Sequence, residues 1–171
     1  TTPDHILLKP GKHTEAERTI MKEHAAKGEI ILEHAASLIS GESYLSYGAQ
    51  IAGGHHECYD GSGYPRGLKG DNIPLAARIV AVVDVFDALV HRRLYKDPWP
   101  VTQALDYMRN ESGKQFDPEI LEVFLGLIEA NPSRWVDSNE CWRGKLWLQN
   151  DDNKRPESAP ALLYVQDKAK E

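Results

Sequence analysis

Two histidines stand side by side in "GGHHECYDGSGYP", Gly53 to Pro65, and a glutamate and an acidic, glycine-rich turn follow them. Adjacent helical residues point about 100° apart, so His55 and His56 can both border one cavity if it lies where their helix ends. His24 lies far upstream, on an apolar stripe with Met21, Gly28 and Ile31. Alone, a histidine there reads as a hydrogen-bonded core residue. Asp84 interrupts "IVAVV" and "VFDAL" in the most apolar stretch of the chain. An unpaired carboxylate buried there costs several kcal/mol, so it needs a cationic partner such as Arg78, or a metal. Asp87 follows one turn later and can face the same region. Three imidazoles and a carboxylate suit Fe, Mn, Zn or Ni, and ligand type alone does not choose among them. Arg93 and Lys96 in "RRLYK" add a cation pair suited to a phosphate ester; by composition alone they read as a solvated basic helix end.

The elements that must position these groups are helical. Residues 1–13 read as a loop punctuated by Pro3, Pro10 and Gly11. Thr14 with Glu17 forms a capping box that opens a helix. Its inner stripe is Met21, His24, Gly28, Ile31, Leu32, Ala35, Leu38 and Ile39; Lys22, Glu23, Lys27, Glu29 and Glu33 take the other side. A second helix is predicted over 43–56, with Ser40-Gly41 before it and a glycine-rich loop over 57–73 after it. Residues 75–90, apolar nearly all round, predict a central buried helix with Pro74 at its start. Further helices are predicted over 100–111 and 118–130, the latter with Asp117 as N-cap and Pro118 at N1. No strand–helix alternation suggests a parallel sheet, and the fold class is all-α, a helical bundle able to house a metal site.

The domain is predicted to run over 1–130, with an extension over 131–171 in which "GKLWLQN" and "ALLYVQD" fit two short strands around a polar turn. The chain has 171 residues, a net charge of −6 with histidines neutral, and two cysteines, Cys58 and Cys141. The acidic balance argues against a nucleic-acid polymer as partner. No run is long enough for a membrane segment, the cysteines give no disulfide framework, and a cytoplasmic location is expected. His5, His13, His34 and His91 read as surface or loop residues, and Cys58 as a small buried hydrophobe.

The stretch "HHECYDGSGYPRGLKGDNIPLAARIVAVVDVFDAL" resembles the signature of HD-GYP domains, bacterial members of the HD phosphohydrolase superfamily. "PDHILLKPGKHTEAERTIMKEH", "RRLYK" and "GKQFDPEILEVFL" extend the resemblance from Pro3 to about Leu125. It implies an HD-type bundle that hydrolyses cyclic di-GMP to pGpG and on to GMP, with two or three divalent metals, usually iron or manganese. By resemblance, His24, His55, His56 and Asp84 are metal ligands. Gly63, Tyr64 and Pro65 form the GYP triplet, and Tyr64, Arg93 and Lys96 contact substrate. Glu57, Asp60 and Asp87 are expected to support the ligands.

The family's His-Asp pair and a following lysine belong just before "TTPDHIL", and the sequence starts there, at Thr1. A truncated form with low metal occupancy and poor activity is therefore expected, from a parent carrying an upstream sensory or receiver domain. His13 and Leu94 depart from the common leucine and proline of the family. The alternative reading is a non-catalytic module that senses cyclic di-GMP or docks diguanylate cyclase domains through the GYP loop. A third is an HD phosphohydrolase acting on another nucleotide.

Overall fold

The computed structural model describes residues 2–9, 11–39, 43–91 and 97–131. Arg93, Lys96 and the extension from residue 132 onward, with its expected strands, lie outside the described residues. Within them the regular elements are helical, as expected: α1 (Asp4–Leu7), α2 (Glu15–Ser37), α3 (Tyr44–Gly54), a 3-10 turn (Gly70–Asn72), α4 (Leu75–Val90), α5 (Val101–Asn110) and α6 (Pro118–Ala130). α1 is a correction: the segment read as loop winds one short turn that buries Ile6.

Helix starts follow local chemistry. Thr14 accepts from the Glu17 backbone N–H, and the Glu17 carboxylate accepts from the Thr14 N–H at 2.8 Å. Asp117 accepts from the amides of Glu119 and Ile120, with Pro118 inside the first turn. The same Asp117 carboxylate takes Arg78 from α4, and Arg78 also pairs with Asp71. Arg78 is thus committed to acids other than Asp84, in the 3-10 turn and at the head of α6.

α2 and α3 pack antiparallel. Gly28 meets Ala52 and Gly48 meets Leu32, so the inner line of α2 runs His24–Gly28–Leu32. α4 crosses α3 so closely that a Cβ on Gly54 would lie 2.7 Å from the Ala77 Cβ. The main core gathers α4, α5 and α6 around Val82, Val85, Phe86, Leu89, Leu105, Met108, Phe116 and Leu121.

Two expected faces are corrected. Ile31 of α2, Leu38 at its C-cap and Ile39 just beyond it are exposed, by 60%, 76% and 51%. α2 has 23 residues and α3 has 11, so α3 covers only part of its length. α4 is not buried all round either. Leu75, Ile79 and Val83 recur every four residues on an exposed line, while the other side meets α3, α5 and α6. Asp84, next to that line, is half-buried.

Candidate metal centre

The end of α3 faces the middle of α2, and there three imidazoles converge. One ring nitrogen from each of His24, His55 and His56 lies within 4.8 Å of the others. The ring centroids are 3.9 Å apart for His55–His56, 5.0 Å for His24–His56 and 5.5 Å for His24–His55. α3 ends at Gly54 and His55 caps it. His56 is then free of helical periodicity and can turn beside its neighbour.

The backbone orients two of the rings. His24 Nδ1 lies 2.7 Å from the Met21 carbonyl, and His55 Nδ1 lies 2.9 Å from Ile51 O and 3.1 Å from Ala52 O. A carbonyl only accepts, so each Nδ1 carries the proton and each Nε2 keeps its lone pair. The His24 and His56 Nε2 atoms face each other at 3.2 Å. Burial, and then the neighbouring His55 and His24, push the His56 imidazole down to about 2; burial likewise lowers His55. Two imidazoles, His24 and His55, whose Nδ1 atoms are held by carbonyls and whose Nε2 atoms keep their lone pairs, together with His56 beside them, fit a divalent cation.

The loop after α3 is fixed by its own backbone. Glu57 is buried, and its two carboxylate oxygens accept from the amides of Arg66 and Leu68 at 2.8 and 3.0 Å. Gly63 lies on the backbone of Glu57 and Cys58: a Cβ there would meet Cys58 N at 2.2 Å. Tyr64 donates its amide to His56 O, and its ring stacks on His56 at 4.7 Å, tilted by 24°. The Tyr64–Pro65 peptide is cis. Tyr59 and Asp60 donate their amides to Gln115 O and Lys114 O, tying the loop to the α5–α6 turn.

Among the expected supporting acids, Glu57 holds this loop. Asp60 accepts from Ser62 N at 2.8 Å inside the turn, and Asp87 pairs with His91 at 2.9 Å on an exposed face. Asp84 lies outside the mutual 4.8 Å set formed by the imidazoles.

Two side chains assigned from the sequence to the outer face of α2 turn to the loop instead, and this is a correction. Glu29 receives Arg66 on both carboxylate oxygens, at 2.7 and 2.9 Å, and Arg66 also donates to Gly53 O. Glu29 occupies the space a Cβ at Gly53 would need. Lys22 places its ammonium 5.1 Å from the Tyr64 ring centroid. The only sequence signal was an opposite charge for Glu29 and an aromatic residue for Lys22, each in a distant loop that spacing does not connect to α2.

A helical bundle that gathers unprotonated imidazole nitrogens between two helices and a fixed loop defines a metal-binding helical domain. The family model described as HD domain matches residues 1–120, and the chain belongs to that family.

Over 124 residues it is 48% identical to a probable cyclic di-GMP phosphodiesterase of Vibrio cholerae serotype O1, covering 72% of this chain and 28% of that protein. Over 125 residues it is 51% identical to a cyclic di-GMP phosphodiesterase of Thermotoga maritima, covering 73% of this chain and 33% of that protein. Over 123 residues it is 43% identical to 3'3'-cGAMP-specific phosphodiesterase 2 of Vibrio cholerae serotype O1, covering 72% of this chain and 23% of that protein. The chain spans about a third or less of the length of these relatives. Among the described residues no helix is long and apolar enough to cross a membrane.

Proposed function

We propose that this chain is the HD-GYP-type metal-binding part of a phosphodiesterase that hydrolyses cyclic di-GMP to pGpG or GMP. The observation that carries the reading is the convergence of His24, His55 and His56 with two Nε2 lone pairs fixed by backbone carbonyls. The names of the relatives support the substrate class.

His24, His55 and His56 hold a divalent cation, iron or manganese, and Asp84 on α4 is proposed as a further ligand to a two- or three-metal cluster. A cation in such a site polarises a phosphoryl oxygen and eases deprotonation of the attacking water. Tyr64, stacked on His56, forms a wall of the substrate mouth, and Glu57 holds that wall by two backbone amides. Arg93 and Lys96 are proposed to hold the phosphates and restrict their motion. Diguanylate cyclase domains and an upstream sensory or receiver domain are proposed partners, the former through the Gly63-Tyr64-Pro65 loop. Four protein donors leave coordination positions of two octahedral cations to water and substrate oxygens.

The test is to load the whole protein that carries this chain with iron or manganese under reducing conditions and supply cyclic di-GMP. Linear pGpG or GMP is the expected product. Saturable binding without turnover by well-metallated protein would replace this reading with the non-catalytic sensing or docking module. A second substrate, 3'3'-cGAMP, is favoured by the name of one relative, and a parallel assay with it decides between the two dinucleotides.

A further inference from the structure

Lys22 lies two residues before His24 on α2, and its ammonium sits over the Tyr64 ring, which itself stacks on His56. Neighbouring basic residues of the same helix behave differently. Lys27 pairs with Glu23 at 2.7 Å and Arg18 approaches Glu15 at 3.7 Å, which is how solvated helix faces usually settle. Lys22 instead extends along the loop side of α2 to an aromatic face. That contact holds a cation weakly and leaves its three N–H donors open to an anion. The surroundings supply little competing negative charge. The Glu57 carboxylate is occupied by two amides, and Glu29 is occupied by Arg66.

We infer that Lys22 is a substrate-positioning cation that binds a non-bridging phosphate oxygen of the dinucleotide, with the Tyr64 ring as the platform that aims it. The inference rests on the proposed phosphodiesterase reading and adds a residue and a role to it. A lysine suits the task because its ammonium is a point charge on a long stem that can follow a phosphate. Lys22 transfers no proton and ligates no metal. Its contribution is Coulombic, and it is strongest where Tyr64 and the loop exclude water.

The test compares Lys22→Met and Lys22→Arg with the wild type in the manganese-loaded whole protein. Lys22→Met should raise KM for cyclic di-GMP by roughly ten- to a hundredfold, the range expected for one hydrogen bond to a charged group. Manganese affinity should be unchanged and kcat should change by less than about threefold, because Lys22 touches neither metal nor leaving group. Lys22→Arg should restore most of the affinity.

A second measurement separates this inference from the reading beneath it. Calorimetric binding of linear pGpG to the same manganese-loaded proteins needs no turnover. If the wild type binds pGpG but hydrolyses no cyclic dinucleotide, the phosphodiesterase reading fails. The Lys22 role then stands or falls on whether Lys22→Met weakens that binding. Equal pGpG affinity in wild type and Lys22→Met, or a loss of manganese affinity in Lys22→Met, overturns the inference.

Discussion

Nε2 of His24 and Nε2 of His56 face each other at 3.2 Å, one from the middle of α2 and the other just beyond the end of α3. Two neutral imidazoles satisfy this approach with one shared proton, and a cation between them satisfies it with both lone pairs. Metal binding should therefore stabilise the fold by mass action. Manganese should raise the melting temperature of the wild type, and a chelator should reverse the rise. His24→Ala should remove most of the shift and lower manganese affinity at least about tenfold. A manganese shift of wild-type size in His24→Ala would take His24 out of the site.

Glu57 is a loop anchor whose removal exposes the cost of orphaned amides. Glu57→Ala leaves the N–H groups of Arg66 and Leu68 without their acceptor. A fully buried donor left this way costs on the order of 1–3 kcal/mol, and these two are partly buried. Urea unfolding should show a loss of about 2–4 kcal/mol. A loss below about 0.5 kcal/mol, the size of an ordinary surface change, would mean that water replaces the carboxylate.

Gly63 and Gly126 make a matched pair. A Cβ at Gly63 would lie 2.5 Å from the Glu57 Cα, whereas one at Gly126, on the exposed side of α6, meets nothing within 4 Å. Gly63→Ala must displace the loop that carries Tyr64, so it should weaken manganese binding and destabilise the fold. Gly126→Ala should stabilise by up to about 1 kcal/mol, the helix-propensity difference. Thermal melts of the two variants check both signs.

Arg78 and Asp117 join α4 to the head of α6, with side chains 15% and 5% exposed. Removing one partner of a buried pair commonly costs about 3–5 kcal/mol. Asp117→Ala should approach that cost, because it also strips the N-cap of α6. Asp117→Asn keeps a capping oxygen and should recover about 1 kcal/mol of the loss. Equal unfolding midpoints for the Ala and Asn variants would show that the cap contributes nothing.

Glu17 gives a pH signature without touching the site. The Lys9 ammonium, first, and the Thr14 amide hold its carboxylate down to about 2 from 4.5. A depressed folded-state pKa contributes stability that is fully present above the unfolded value and fades as pH falls from about 4.5 towards 2. Melting temperatures of wild type and Glu17→Gln should differ at neutral pH and converge over that acid window. A gap that persists at the acid end would place its origin in packing instead of charge.

The sequence by itself determined where most helices begin and which groups are fit for metal. Thr14 with Glu17 and Asp117 with Pro118 act within a few residues, so their chemistry is complete in the chain order. The pair His55-His56 at a helix end and His24 on an inner stripe carried the candidate site for the same reason. Tertiary structure decided what those local patterns leave free. Periodicity told which residues of α4 are apolar, but only the placement of α3, α5 and α6 left Leu75, Ile79 and Val83 uncovered. Arg78 chose Asp117 and Asp71 over Asp84, and Lys22 and Glu29 turned from the outer face of α2 towards the loop. Long flexible side chains can reach several partners, and which is near depends on how the helices and the 57–73 loop pack, a non-local quantity that spacing along the chain does not encode.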